Sequence, residues 1–270
     1  MGGDTYEHTS VKRHVERSLE AAHGEGIRPT TIPLRVSSIL TLESRGLVCA
    51  STVLMRTLFR SKRGDSLLLI GPSGAGKTAL FLQLTKGNLG QGTVTSLKAN
   101  EGTATLPGLK APVKTVDLPG HTRLRGLTEK RLSSARAVVF VLDSVEVSGA
   151  SYVRGAADML YDVLGNPTVQ KSRVPVLVAC NKMDLSSAHT AEFTRKRLEK
   201  EMEILRGSRA SMQDTTTARK GGGGGAAAVS IGKLGQPFAF ATCANAVTCA
   251  ATSVLQNELK PVYEFLESSY

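Results

Sequence analysis

The sequence predicts an α/β fold in which a mostly parallel sheet of about six strands carries helices on both faces. Three observations predict it. From residue 64 onward, apolar runs of strand length alternate with segments of helical periodicity. Two of those runs, Ala137 to Leu142 and Val174 to Cys180, are continuously apolar, as strands buried on both faces require. The run Leu67-Leu68-Leu69-Ile70 passes through a glycine-rich turn straight into Ala79-Leu80-Phe81-Leu82-Gln83-Leu84, which reads as helix.

Taken in order, residues 1–63 form an N-terminal extension. Val11, Val15, Leu19 and Ala22 recur at spacings of four and three, which predicts a short amphipathic helix ending near Gly24. Arg28 to Pro33 reads as loop, and Leu34 to Phe59 as a helix or two interrupted at Gly46. Strands are expected at 66–70, 102–107, 112–117, 137–142, 174–180 and 237–242, the second and third as an antiparallel hairpin through Pro107-Gly108. Helices are expected at 77–86, 122–134, 149–164, 189–206 and 253–268. On the fourth of these, Glu192, Lys196, Glu199, Lys200 and Glu203 lie at pairing distances and read as a solvated face. Residues 207–236 break the rhythm: a polar stretch, then Gly221 to Gly225 and three alanines. Such a composition predicts a flexible loop.

Bulk composition bounds the function. With 270 residues, 41% hydrophobic and 21% charged, the chain suits one packed α/β domain plus an extension. Aromatics make up 4% with no Trp, so the core is expected to be aliphatic. A net charge of +11 allows an anionic partner, yet no dense basic run is interleaved with aromatics, so direct nucleic-acid binding is not expected. Cys49, Cys180, Cys243 and Cys249 have neither metal-ligand nor disulfide-framework spacing, and buried reduced thiols are expected. Residues 1–23 are too polar for a secretory signal. The apolar stretch 36–59 is broken by Glu43, Arg45 and Arg56, so no membrane-spanning helix is expected.

The glycine-rich turn carries the first chemistry. Gly71-Pro72-Ser73-Gly74-Ala75-Gly76-Lys77-Thr78 fits G-x-x-x-x-G-K-[ST] between a strand and a helix, the P-loop of NTPases. Backbone N–H groups and the positive end of the helix surround phosphate oxygens, and glycine permits the close approach. Lys77 is placed to reach the β- and γ-phosphates and Thr78 to ligate Mg²⁺.

Three more segments narrow the nucleotide. Asp117-Leu118-Pro119-Gly120 ends a strand, where the Asp can hold Mg²⁺ through water and Gly120 can turn its N–H toward a γ-phosphate. Asn181-Lys182-Met183-Asp184 caps a buried strand. A carboxylate there can accept the N1–H and 2-amino hydrogens of guanine, which adenine does not offer, while Asn181 and Lys182 tie the loop to the P-loop and cover the base. Thr242-Cys243-Ala244-Asn245 follows the expected last strand, where a backbone N–H of Cys243 or Ala244 can donate to guanine O6. In open α/β sheets, ligands bind at these strand ends. GTP is therefore expected over ATP.

These residues resemble the Ras-like small GTPases, and within them the β subunits of the signal recognition particle receptor. The resemblance is carried by Thr115 to His121, Leu124-Arg125, Ser133 to Ser144, Ala179 to Leu185 and Leu198 to Arg206, and spans residues 64–270, the GTPase domain. It implies a GTP-bound docking subunit at the cytosolic face of the endoplasmic reticulum membrane. The partner it implies is the receptor α subunit, the process cotranslational protein targeting. Switch I would lie near Thr93 to Ser96. Thr95, 18 residues after Lys77 as in ADP-ribosylation-factor-type GTPases, would complete the Mg²⁺ shell, with Thr93 and Ser96 as neighbouring alternatives.

His121 stands where many relatives carry a water-positioning Gln, so it reads either as a water-orienting residue or as a switch residue with hydrolysis slow until a partner arrives. Whether the chain is a turnover enzyme stays open at this point. The alternative function is a vesicle-trafficking GTPase of the ADP-ribosylation-factor-like kind that cycles by hydrolysis. Two departures stand out. The family pattern has an N-terminal membrane-spanning helix where residues 1–63 show none: either membrane contact runs through the partner or the surface, or this N-terminal sequence is atypical. Thr-Cys-Ala-Asn also replaces the usual Ser-Ala-Lys.

Overall fold

A computed structural model describes residues 64–88, 98–106, 108–109, 111–121, 125–219, 231–233 and 235–270. The expected helix at 11–22, the rest of the 1–63 extension, Thr93 to Ser96, Arg123 and the five-glycine run lie outside the described residues.

Among the described residues six strands form one sheet in the order β2-β3-β1-β4-β5-β6. They are β1 (Ser66–Ile70), β2 (Asn100–Ala104), β3 (Val113–Asp117), β4 (Ala135–Asp143), β5 (Val176–Asn181) and β6 (Val247–Ala251). Only the β2–β3 pair is antiparallel, as the hairpin reading expects; the other pairs are parallel. The helices are α1 (Lys77–Lys86), α2 (Arg125–Leu132), α3 (Ala150–Gly165), α4 (Pro167–Lys171), α5 (Ala191–Arg219) and α6 (Lys260–Ser269).

Strand alternation builds two cores, one on each face. Leu68 and Ile70 of β1, Val138, Phe140 and Leu142 of β4, and Val176, Val178 and Cys180 of β5 pack with α3 and with Leu198 and Met202 of α5. Their neighbours Leu67, Leu69, Val139, Val141 and Leu177 pack with Leu80, Phe81 and Leu84 of α1 and Val262 and Leu266 of α6. A run such as Leu67-Leu68-Leu69-Ile70 has no polar side because both of its sides are interior. Parallel pairing also brings the C-terminal ends of β1, β3, β4, β5 and β6 to one end of the sheet.

The largest correction concerns the last strand. Residues 237–242 are not a strand. The Phe238 and Phe240 N–H groups donate to the Glu203 and Glu199 carboxylates of α5 at 2.6 and 2.9 Å, and Phe240–Thr242 closes a 3₁₀ turn. The edge strand is Val247–Ala251 instead. Its residues, Val-Thr-Cys-Ala-Ala, are mostly small, pair with β5 on one side only and are partly exposed, so they lack the bulky apolar run of a buried strand. The same contacts correct the solvated-face reading of α5 at Glu199, whose carboxylate is largely covered by the returning chain, while Glu203 holds that chain and stays partly exposed.

Other boundaries move for local reasons. β2 spans Asn100–Ala104 rather than 102–107, with Asn100 opposite Asp117 and Ala104 opposite Val113, and residues beyond 104 are left to the connection, where Gly108 has φ 87°. Helix α5 continues to Arg219, so 207–219 is helical where a loop was expected. Arg209 anchors that continuation through Asp158 and Asp162 of α3 and lies 4.2 Å over the Tyr161 ring. Helix α6 starts at Lys260 because residues 253–258 form a bridged turn, Ser253 pairing with Glu258. The short α4 was not expected; Asn166 caps it by accepting from the Thr168 and Val169 N–H groups, and Pro167 opens it.

Candidate functional site

The site lies at the C-terminal end of the parallel strands. Between β1 and α1 the chain turns through Gly71, Gly74 and Gly76, all at positive φ. Gly71 is obligatory on two counts: its φ is 146°, and a Cβ there would stand 2.1 Å from the Val141 carbonyl oxygen of β4. Ser73 and Gly74 are exposed at the tip of the turn, while Gly71, Ala75 and Lys77 are buried.

Lys77 opens α1. Its Nζ donates to the Pro72 carbonyl at 2.8 Å. Burial pushes its ammonium from 10.5 down to about 8, and the Asp117 carboxylate opposes the fall. Thr78 follows, its Oγ1 donating to Asp117 Oδ2 at 2.8 Å. Asp117 ends β3 fully buried, and its Oδ1 has no hydrogen-bond partner. Gly120 packs against the turn so closely that a Cβ would lie 2.6 Å from both Lys77 Nζ and the Gly71 oxygen. His121 next to it is exposed.

The second half of the site is assembled from strand ends far apart in sequence. Asn181, at the end of β5, is buried and works in two directions. Its Nδ2 donates to the Ala75 carbonyl at 2.9 Å and its Oδ1 accepts the Val254 N–H at 3.1 Å. Lys182 adopts φ 68°, and its Nζ is paired with Asp143 Oδ2 of β4 at 2.5 Å. Asp143 is itself fixed: Oδ1 accepts the Val145 N–H, and its own N–H donates to the Tyr152 hydroxyl of α3. Asp184 Oδ1 accepts from Ser253 Oγ at 2.6 Å, and the Met183 N–H donates to the Thr252 carbonyl. Among the residues expected here, Asn181 is thus tied to the P-loop by its side chain, whereas Lys182 is tied to β4.

Cys243 and Ala244 are not part of this assembly. They precede β6 and sit at the opposite end of the sheet, where Asn245 Nδ2 donates to the Val169 and Val174 carbonyls ahead of β5. They line a cavity of about 190 Å³ with Leu164, Gln170 and Ile231. The position expected of them, the turn after the last strand, belongs to Thr252-Ser253-Val254. The signal that points there is a polar Thr-Ser pair directly after a strand; placing the strand ten residues early hid it.

Chemically, the arrangement combines a backbone-lined turn with a buried cation, a hydroxyl beside a carboxylate whose second oxygen has no partner, and a carboxylate held by a serine at the far side. The unpartnered Asp117 Oδ1 and the desolvated Lys77 fit a phosphate chain accompanied by a divalent cation.

Comparison with known proteins agrees. Residues 62–247 match the family described as signal recognition particle receptor beta subunit. The chain is 33% identical over 207 residues to the signal recognition particle receptor subunit beta of Homo sapiens, covering 75% of this chain and 73% of that protein. Across the human, mouse and rat relatives it spans 65% to 73% of their length. Among solved structures it is similar to the mammalian receptor (29% identity, TM-score 0.63, 76% of this chain and 100% of that one). It is also similar to the receptor β subunit with GDP and Mg from Chaetomium thermophilum (26% identity, TM-score 0.57, 78% and 100%).

Proposed function

This chain belongs to the signal recognition particle receptor beta subunit family, and from that premise we propose that it is the receptor's GTP-binding subunit. In this reading it docks the receptor α subunit at the cytosolic face of the endoplasmic reticulum membrane for cotranslational protein targeting. The observation that carries the reading is Asn181: one buried side chain joins the phosphate loop, through Ala75, to the Thr252–Val254 turn that holds Asp184. A phosphate grip and a guanine-selective carboxylate held to each other in this way suit a nucleotide that is retained.

The roles follow from the positions. Gly71, Pro72, Ser73, Gly74, Ala75 and Gly76 line the phosphates with backbone, and Lys77 neutralises them. Thr78 and Asp117 would hold Mg²⁺, Asp117 by way of water, and Thr95, outside the described residues, would join them. Asp184 accepts the guanine N1–H and 2-amino group, and Lys182 flanks the base. Gly120 lies against the phosphate loop, so a third phosphate is sensed there, and His121 moves with it as a switch residue. When bound, GTP with Mg²⁺ supplies the charge that orders these segments. In this reading hydrolysis waits on a partner, since in-line attack also calls for a charge-stabilising Arg. Among the described residues no helix is long and apolar enough to cross a membrane.

The test is purification of the native complex, with identification of bound nucleotide and protein partner. Guanine nucleotide and the receptor α subunit are expected together. Recovery of neither would sink the reading.

A further inference from the structure

The two oxygens of the Asp117 carboxylate have unequal surroundings. Oδ2 accepts twice, from Thr78 Oγ1 at 2.8 Å and from Asn100 Nδ2 at 2.9 Å, while Oδ1 is buried with no partner. An ionised oxygen buried in this way is costly unless a cation or a cation-bound water lies against it. Asn100 does not belong to the phosphate loop or to β3. It opens the edge strand β2, and the antiparallel register sets it directly opposite Asp117.

We propose that Asn100 is a positioning residue for the divalent cation: its amide pins Asp117 Oδ2 and so holds the carboxylate with Oδ1 free for the cation's water. The proposal rests on the GTP–Mg²⁺ reading above and deepens it. An amide suits this task. Its Nδ2 only donates and carries no charge, so it orients the carboxylate without neutralising it. A lysine in its place would compete with the cation, and an apolar residue would leave the carboxylate free to rotate. Residues one shell beyond a metal act on it through the ligands they orient. The consequence is that the edge strand, through its register with β3, is part of the cation site.

The experiment compares the full chain with Asn100→Leu, branched alike but without a donor, and with Asn100→Ser, which keeps a shorter one. Release of a fluorescent GDP is followed across a Mg²⁺ titration and in EDTA. For Asn100→Leu the Mg²⁺ concentration that half-slows release is expected to rise about tenfold, with Asn100→Ser in between. Release in EDTA should stay within about twofold of wild type, which also shows that the variant is folded. A Mg²⁺ dependence equal to wild type, or faster release that is the same with and without Mg²⁺, would overturn the proposal. A wild-type chain that holds no guanine nucleotide would overturn the parent reading as well, and is recognised before any variant is made.

Discussion

The phosphate end and the base end of this site are built in opposite ways. The loop at the phosphate end is one continuous stretch, residues 71–78, in which backbone and glycines make the shape and Lys77 Nζ reaches back to the Pro72 carbonyl. The base end is made of side chains from three strand ends: Asp143 closing β4, Asn181 closing β5 with Lys182 and Asp184 just beyond it, and Ser253 beyond β6. The first kind of site fails when its backbone is disturbed; the second loses selectivity one side chain at a time while the fold stands. Asn181 joins the two.

Substitutions separate the two constructions. The largest effect is expected from Gly71→Ala, which adds a Cβ 2.1 Å from the Val141 oxygen at φ 146°. It should remove about 3 kcal/mol of fold stability, read as a lower urea midpoint. At the base end, Asp184→Asn should leave that midpoint unchanged. It should weaken GTP by about 2 kcal/mol and shift preference toward xanthine nucleotides, as competition binding would show. Ser253→Ala removes the hydroxyl that donates to Asp184 and accepts the Gln256 N–H. A loss of about 1 kcal/mol in guanine affinity is expected, with Cys243→Ala and Ala244→Ser leaving affinity as it was.

The phosphate end also carries a pH signature. Burial lowers Lys77 from 10.5 to about 8 in the folded chain, so the unfolded chain binds that proton more tightly. Below pH 8 the cost of the buried charge is present in full, and it is relieved as pH rises toward 10.5. Relative to Lys77→Met, ligand-free wild type should gain about 0.5–1 kcal/mol of stability per pH unit across that window, measured by denaturation at several pH values. A flat difference would mean that Lys77 is not desolvated.

The same contrast explains what was legible in the sequence. A contiguous motif between an apolar strand and a helix is readable from local pattern alone, and β1, the turn and α1 lie where expected. Asn181 to Asp184 were readable because they cap a buried, continuously apolar strand, and Asp117 because Asp-x-x-Gly closes a short strand carrying Val113 and Val116. Ser253 was not, because β6 is a short edge strand of mostly small residues, while Pro237 to Thr242 carries two phenylalanines yet spends the Phe238 and Phe240 N–H groups on Glu203 and Glu199. Asn100 was hidden for a related reason. Its role depends on the β2–β3 register, which places it opposite Asp117 and which composition does not reveal. The Asp143–Lys182 pair likewise depends on β4 and β5 being neighbours with Asp143 level with Asn181.

The central claim is that this grip on the nucleotide exists to present a docking surface. The most direct measurement is the affinity of the receptor α subunit for the chain loaded with a non-hydrolysable GTP analogue or with GDP, by calorimetry in Mg²⁺. Binding at least about tenfold tighter in the triphosphate form is expected, a coupling of about 1.4 kcal/mol. Equal affinity for the two forms would contradict the account.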